Sequence, residues 1–451
     1  MVIDFHEQAI ARFNTLAQEL LTKVRQFPAV QPRPKTGTSI YPIANLTEAD
    51  VIGPIEWKQL SVNGLGEETG RYWNTNNGRA GYEEEDYAAV KDLAKRLEQT
   101  KPLQNRVSME FLMDELFTWL SETLESKRQD GFMEFIARKT ADAIKVHEYW
   151  IPVYRTYSSR EFAIGEVQFK TLSPVMLDRW YSRIPEEERK RAPAAEVVFA
   201  RQRSLLQGSL AAVVVVEAEP RKAVATARTA TDEVIALLRF LSEVNWTCRI
   251  TSHCLPIGKE NTRTTMDILV ENGEIRQIGK GVIEQGPSGW NVDGARATPL
   301  TTGVLELLQE LASKRNATEF RTDLYGSLLL HARASIATEV AHKLVFVVAA
   351  AESIFLRNAS EPIQKNLGER LAFLLGRNVE ERKTIIKNVD DFYGLRSGLI
   401  HHGKEVEESQ NDIVDEFFVN VWLSFVALMR SGDRWKTRND MFVELEERKL
   451  S

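Results

Sequence analysis

The sequence predicts an α+β N-terminal region followed by a C-terminal all-α helical bundle. Three observations carry that expectation. β-Branched and aromatic residues concentrate between about residues 146 and 290, a Gly/Pro-rich stretch (EQGPSGWNVDGARATP) closes that region, and beyond it apolar residues recur at helical spacing to the end. The division expected is 1–145, mainly helical with a Pro-rich connector at 28–54; 146–299, an α+β sensing or regulatory domain; and 300–451, the bundle. A chain of 451 residues has room for about two to three domains.

Each element rests on its own pattern. Residues 5–26 set Phe5, Ile10, Phe13, Leu16, Leu20 and Leu21 on one broad helical face. Five of the fifteen prolines then fall between Pro28 and Pro54, which predicts an irregular connector. Helical periodicity resumes at Glu83, with FLMDELFTWLSETL and GFMEFIARKTADAI as amphipathic helices. The acidic run Glu83–Asp86 reads as a solvated first turn, where carboxylates suit the helix dipole. In the middle, EYWIPVYRTY and EFAIGEVQFKTL read as strands, LAAVVVVEAEP as a buried strand, and AVATARTATDEVIALLRFLSEV as a helix. Asn272-Gly273 between two alternating runs predicts a hairpin with a type I′ turn.

Composition narrows the function classes. A formal net charge of −6 gives no global basic field to recruit nucleic acid, and residues 320–451 are near neutral, with 18 Lys+Arg against 20 Asp+Glu. Two cysteines, Cys248 and Cys254, form no disulfide framework and suggest a reducing compartment. MVIDFHEQAI lacks the basic and apolar regions of a signal peptide. The longest apolar run, Leu344–Ala351, falls far short of the ~20 residues a membrane span needs. The expectation is a cytoplasmic protein without a membrane partner.

Most polar clusters have an ordinary reading. Cys248, His253 and Cys254 lack the second ligand pair that a zinc site wants, so packed thiols and a surface histidine are expected. The glycines of IGKGVIEQGPSG read as a turn, because neither a phosphate-loop Lys-Ser/Thr nor a helix start follows. No cofactor and no metal is implied.

One stretch stands apart. DFYGLRSGLIHHGKE, Asp391–Glu405, carries Arg396 and the adjacent His401 and His402. Upstream, HARASIATEVAHKLVFVVAAAESIFL reads as one long helix, apolar in its second half except for Glu352. NLGERLAFLLG reads as a second helix ending at Gly376 and VEERKTIIKNV as a third. The segment from Asp391 follows with Phe392, Leu395 and Leu399 as its core stripe, and NDIVDEFFVNVWLSFVALM closes a bundle of four to five helices.

Glu352, Glu369-Arg370-Leu371-Ala372, and Tyr393, Arg396, Ser397 and His401 together resemble a HEPN domain of the Apea-like group, over about residues 325–430. The resemblance implies a metal-independent endoribonuclease that acts on RNA as a homodimer through the bundle, of the kind found in anti-phage and toxin systems. Arg396, His401 and His402 would be its catalytic residues, supported by Glu352, Tyr393 and Ser397. Other members of the group are non-catalytic binding modules, and a nucleic-acid- or protein-binding module is the alternative. The family's glycine usually follows the histidine directly; here His402 intervenes before Gly403, so either histidine can hold the catalytic position. The large N-terminal region would sense a trigger ligand or a partner protein.

The chemistry agrees with these residue types. RNA carries its own nucleophile, the 2′-hydroxyl. Cleavage then needs a group that moves protons near neutral pH and a permanent cation for the phosphoryl oxygens, which histidine and arginine supply. At 100° per residue, Arg396 and His401 lie about 140° apart on a straight helix, and Arg396 and His402 about 120°. Either the helix breaks near Gly398 or Gly403, or a working site combines two copies. The structural alternative is that Arg396 caps or pairs inside the bundle with Glu352, leaving the histidines on a surface turn.

Overall fold

The computed structural model describes residues 3–28, 59–75, 78–184, 186, 195–259, 263–271, 274–283, 289–358, 360–402 and 406–450, without the side chains of 195, 197–198, 263–283 and 399–402. The chain forms two compact units. The first comprises Met1–Tyr149, Leu177–Leu205 and Val215–Arg228; the second comprises Trp150–Met176, Leu206–Val214 and Thr229–Ser451. These units cut the chain differently from the three regions expected at 1–145, 146–299 and 300–451.

In the first unit, helix α1 (Glu7–Thr22) starts at His6, whose ring nitrogen accepts from the Gln8 amide. An antiparallel sheet follows, in the order β1 (Arg25–Phe27), β4 (Gly78–Glu83), β3 (Glu68–Thr75), β2 (Gln59–Val62). The sequence reading missed it and expected a mainly helical region. Gly70, Gly78 and Gly81 interrupt the alternating pattern that marks a strand. At Gly81 the glycine is required, because an added Cβ would strike the Arg71 carbonyl across the ladder. Helices α2 (Glu84–Glu98), α3 (Met109–Leu124) and α4 (Phe132–Ala143) lie where periodicity put them. Ser108 caps α3 at the Phe111 amide. Phe117 stands edge-on to Trp73 and Tyr82, joining helix to sheet in one core.

The acidic run is more than a solvated turn. Glu83 accepts the Tyr72 hydroxyl, Glu84 has a φ of 52°, and Asp86 meets Arg25 at 2.8 Å. Beyond Pro28, the connector expected at 28–54 lies outside the described residues.

The middle of the chain carries β5 (Lys145–Pro152), β6 (Thr156–Tyr157), β7 (Phe162–Ile164), β8 (Val167–Thr171), α5 (Pro174–Ser182), α6 (Ala195–Leu206), β9 (Leu210–Ala218) and α7 (Pro220–Leu238). β7 pairs antiparallel with β8, and β8 with β9. The predicted hairpin is present as β10 (Arg263–Glu271) against β11 (Glu274–Ile283), in register at Glu271 and Glu274; the turn residues Asn272 and Gly273 lie outside the described ones. β12 (Trp290–Asn291) pairs in parallel with β6, and α8 (Val292–Arg296) follows. Asp293 accepts from the Ser158 hydroxyl at 3.0 Å and the Ser159 amide at 2.6 Å. The end of the Gly/Pro-rich stretch, from Trp290 onward, is therefore tied into the second unit and is not a boundary.

Helices α9 (Val304–Ser313), α10 (Glu319–Ala334), α11 (Val340–Phe355), α12 (Ile363–Leu375), α13 (Val379–His402), α14 (Asn411–Arg430) and α15 (Arg438–Leu450) make the C-terminal part. Two expectations change here. The long helix read over HARASIATEVAHKLVFVVAAAESIFL is broken between Ala334 and Val340. Ser335 turns its hydroxyl onto the Ala332 carbonyl, and its own carbonyl accepts from the Ser252 amide at 2.7 Å, so backbone from elsewhere stabilises the break. Conversely, the helix read over VEERKTIIKNV and the segment after Asp391 are one continuous α13.

His331 on α10 is fully buried between the rings of Phe240 and Phe425, each 5.6 Å away, and neither ring nitrogen has a hydrogen-bond partner. Burial holds its pKa down at about 4. In the unfolded chain the imidazole takes up a proton near pH 6.5, whereas the folded chain resists until about pH 4. Stability should therefore fall by about 3 kcal/mol as pH drops through that window. Urea titrations from pH 7 to pH 4 should show this loss in the wild type and a clearly smaller one in His331→Phe.

Candidate functional site

The candidate site is carried by α13, so what seats this helix matters first. Ile385, Asn388, Val389 and Phe392 are buried at helical spacing. Phe392 stacks on Phe417 of α14 with ring centroids 3.7 Å apart. Asn388 donates to the Ile413 carbonyl and accepts from Asn420, each at 3.0 Å, which fixes the register between the two helices. Leu395, expected on the core stripe, is only half-buried, and the side chain of Leu399 lies outside the described residues.

Arg396 is the next position on this inner stripe, and it is half-buried. Its guanidinium carbon sits 5.5 Å from the Tyr393 ring centre, on the ring's face. Its Nε is buried and makes no hydrogen bond. The internal partner considered for it, Glu352 of α11, instead accepts the Tyr393 hydroxyl at 2.8 Å, and no ion pair joins Arg396 to a described carboxylate. Burial, and then the Glu352 carboxylate, push the Tyr393 pKa up, against the pull of Arg396. Tyr393 is thus a protonated donor to Glu352 and a platform for the arginine; it is not a proton acceptor. Ser397 is exposed.

The helix runs through Gly398 without a break and ends at His402, so the break considered at Gly398 does not occur. The angular separation of about 140° between Arg396 and His401 holds for this continuous helix. The side chains of His401 and His402, and Gly403 as a whole, lie outside the described residues. The structure therefore brings together Glu352, Tyr393 and Arg396 of the expected set.

The remaining motif residues brace α11 and α12. Arg370, 8% exposed, donates to the Phe355 carbonyl at the end of α11, pairs with Glu361 at 2.7 Å, and lies on the Phe442 ring. Glu369 pairs with Lys449. The sequence reading missed Lys343 of α11, which is 2% exposed, with its ammonium on the Ile250 carbonyl. Only the apolar stretch around it signalled burial.

Cys248 and Cys254 are both buried free thiols, and burial pushes each pKa up to about 11, which keeps them protonated and unreactive. His253, expected at the surface, is buried at 9% exposure and stands edge-on to Tyr154. No helix among the described residues is long and apolar enough to cross a membrane.

No family model, no curated protein and no solved structure matches this chain.

The Arg370–Glu361 pair offers a direct stability test, since both side chains are nearly buried. Arg370→Met should destabilise the protein by about 3 kcal/mol by leaving Glu361 unpaired. Arg370→Met with Glu361→Gln should recover most of that loss. Chemical denaturation of the two single variants and the double variant measures the coupling.

Proposed function

We propose that this chain is a metal-independent endoribonuclease of HEPN type that works as a homodimer through its helical bundle. Arg396 is the phosphate-binding cation, and His401 or His402 is the proton-transfer group. The observation that carries this reading is the state of Arg396. Its charge is permanent, its face is held by Tyr393, and the nearby carboxylate of Glu352 is occupied by the Tyr393 hydroxyl. Such a guanidinium is oriented and makes no ion pair with a described carboxylate, which leaves its N–H groups to a phosphodiester oxygen.

The chemistry needs few parts. A histidine takes the proton of the 2′-hydroxyl as its oxygen attacks phosphorus. The P–O5′ bond breaks, and the matching, protonated histidine of the second copy gives a proton to the 5′ oxygen, leaving a 2′,3′-cyclic phosphate and a 5′-hydroxyl. Arg396 stabilises the charge gathering on the phosphoryl oxygens. With Arg396 and His401 on different faces of one continuous helix, two copies of α13 side by side can set the arginine of one against the histidine of the other. Pairing also concentrates positive charge that the near-neutral C-terminal part lacks. An unrestrained ribonuclease harms its host, so the remaining two thirds of the chain fits a sensing or restraining role in an anti-phage or toxin system.

Incubation of purified protein with RNA, with and without chelator, should give chelator-insensitive cleavage with cyclic phosphate ends. Arg396→Ala should reduce cleavage by about 10²–10³-fold and weaken RNA binding. Alanine at the catalytic histidine should reduce cleavage by about 10²–10⁴-fold and spare binding, and comparing His401→Ala with His402→Ala identifies which histidine acts. Cleavage that survives all three substitutions would remove the site from α13. Binding without cleavage under any trigger would leave a binding module.

Restraint and assembly have their own readouts. The full chain should be less toxic on expression than residues 229–451, which keep the segments that cover α14, and equal toxicity would contradict regulation in cis. Sedimentation should show dimers at micromolar concentration; a strict monomer with full activity would contradict the two-copy site.

A further inference from the structure

The second unit holds a cavity of about 310 Å³ that no step of the nuclease reading uses. Two arginines line it, Arg160 after β6 and Arg296 at the end of α8, together with Thr302, Gly303, Leu305 and Glu306 around the start of α9. The volume falls in the range of small-molecule pockets.

The charges in this cavity are arranged unequally. Asp293 also lines it, but its carboxylate is consumed by the Ser158 hydroxyl and by the amide and hydroxyl of Ser159. Those bonds fix the turn that presents Arg160. The Arg160 guanidinium is exposed and makes no hydrogen bond or ion pair with any described residue, although the Asp293 carboxylate lies near enough for the two charges to attract. Arg296 has a single long contact, 3.4 Å to Glu306, whose side chain is 66% exposed and free to swing away. Helix α9 begins behind Gly303 with no side-chain cap, so its first turn adds backbone N–H dipoles of the same sign. Buried Leu305 and the neighbouring Ala297 supply an apolar wall.

We propose that this cavity binds a small organic phosphate monoester, with Arg160 and Arg296 on the phosphate and the apolar wall against the organic part. The charge of the ligand follows from the competitor already present. Glu306 offers Arg296 one negative charge at a long distance, whereas a phosphate monoester brings about −1.5 to −2 at pH 7 and three acceptor oxygens that two guanidinium groups can share. A simple carboxylate has no such advantage over Glu306. The cavity shares no residue with the Arg396 segment, so its occupancy is measurable whether or not the chain cuts RNA.

Titration calorimetry on the full chain tests this with AMP and ribose 5-phosphate as probes, and adenosine, ribose, acetate and inorganic phosphate as controls. At least one ester should bind at millimolar concentration or tighter, while adenosine, ribose and acetate should show no heat. Arg160→Ala and Arg296→Met should each weaken ester binding at least tenfold. Glu306→Gln should tighten it severalfold by removing the internal competitor, a gain that a damaged fold would not produce. The proposal is overturned if neither ester binds the wild type, if binding ignores the two arginine substitutions, or if inorganic phosphate binds as tightly as the esters.

Discussion

Helix α14 buries more than half of its circumference, and the second unit is organised around that constraint. Its buried apolar residues, Val414, Phe417, Phe418, Val421, Trp422, Phe425, Val426, Leu428 and Met429, spread over about half of the helix circumference at 100° per residue, a face wider than an ordinary amphipathic stripe. Such a face is stable in water only when several elements share in covering it. Phe392 of α13 covers Phe417; Phe240 and Trp246 close over Trp422, whose indole N–H donates to the Phe240 carbonyl at 2.8 Å. Asp415 extends a carboxylate to the Cys248 amide and to Arg249, drawing the segment after Trp246 onto the same helix. The seat of Arg396 thus follows from the need to hide α14.

That arrangement divides the labour among charged residues. Arg321, Arg370 and Arg239 are each buried or nearly so, and each donates to named acceptors: Glu310 and Asp433, Glu361 and the Phe355 carbonyl, Ser335 and the Cys254 carbonyl. These are structural cations, saturated by the protein. Arg396 and Arg160 differ in kind, since neither makes an ion pair or hydrogen bond with a described carboxylate, although the charge of Asp293 still acts on Arg160. Saturation, more than exposure, separates a bracing arginine from one available to a ligand.

Legibility in the sequence followed the range of the forces involved. The amphipathic helices α1 to α4, the strand β9, buried over Leu210–Val214 but exposed at Val215, and the β10–β11 pairing were readable because their signals are local, in periodicity and in Asn272-Gly273. The sheet of β1 to β4 was not, because its glycines erase alternation and its register depends on cross-strand contacts. The break at Ser335 was equally hidden, since its stabilising partners, Ser252 and Arg239, come from distant sequence. Arg396 and Tyr393 were singled out by motif, and the engagement of Glu352 by Tyr393 was visible only in three dimensions. The cavity of Arg160 and Arg296 had no local signature at all, because one arginine follows a strand and the other ends a short helix far along the chain.

The unbroken length of α13 has a mechanical consequence. A helix of 24 residues is a rod of about 36 Å, and its turns move together. Its first turns are anchored beside Gly376, where Arg382 donates to the Gly376 carbonyl and lies on the Phe373 ring. Its last turns carry Arg396 and run to His402. With the buried Phe392–Phe417 stack as the fulcrum, the arms are about 20 Å toward Val379 and about 15 Å toward His402, so a small tilt applied near Val379 is delivered to the far end as a smaller sideways displacement in the opposite direction. The chain has a lever built into it, and the histidine-bearing end is the tip of its shorter arm, so the aromatic stack that holds the pivot also damps movement there.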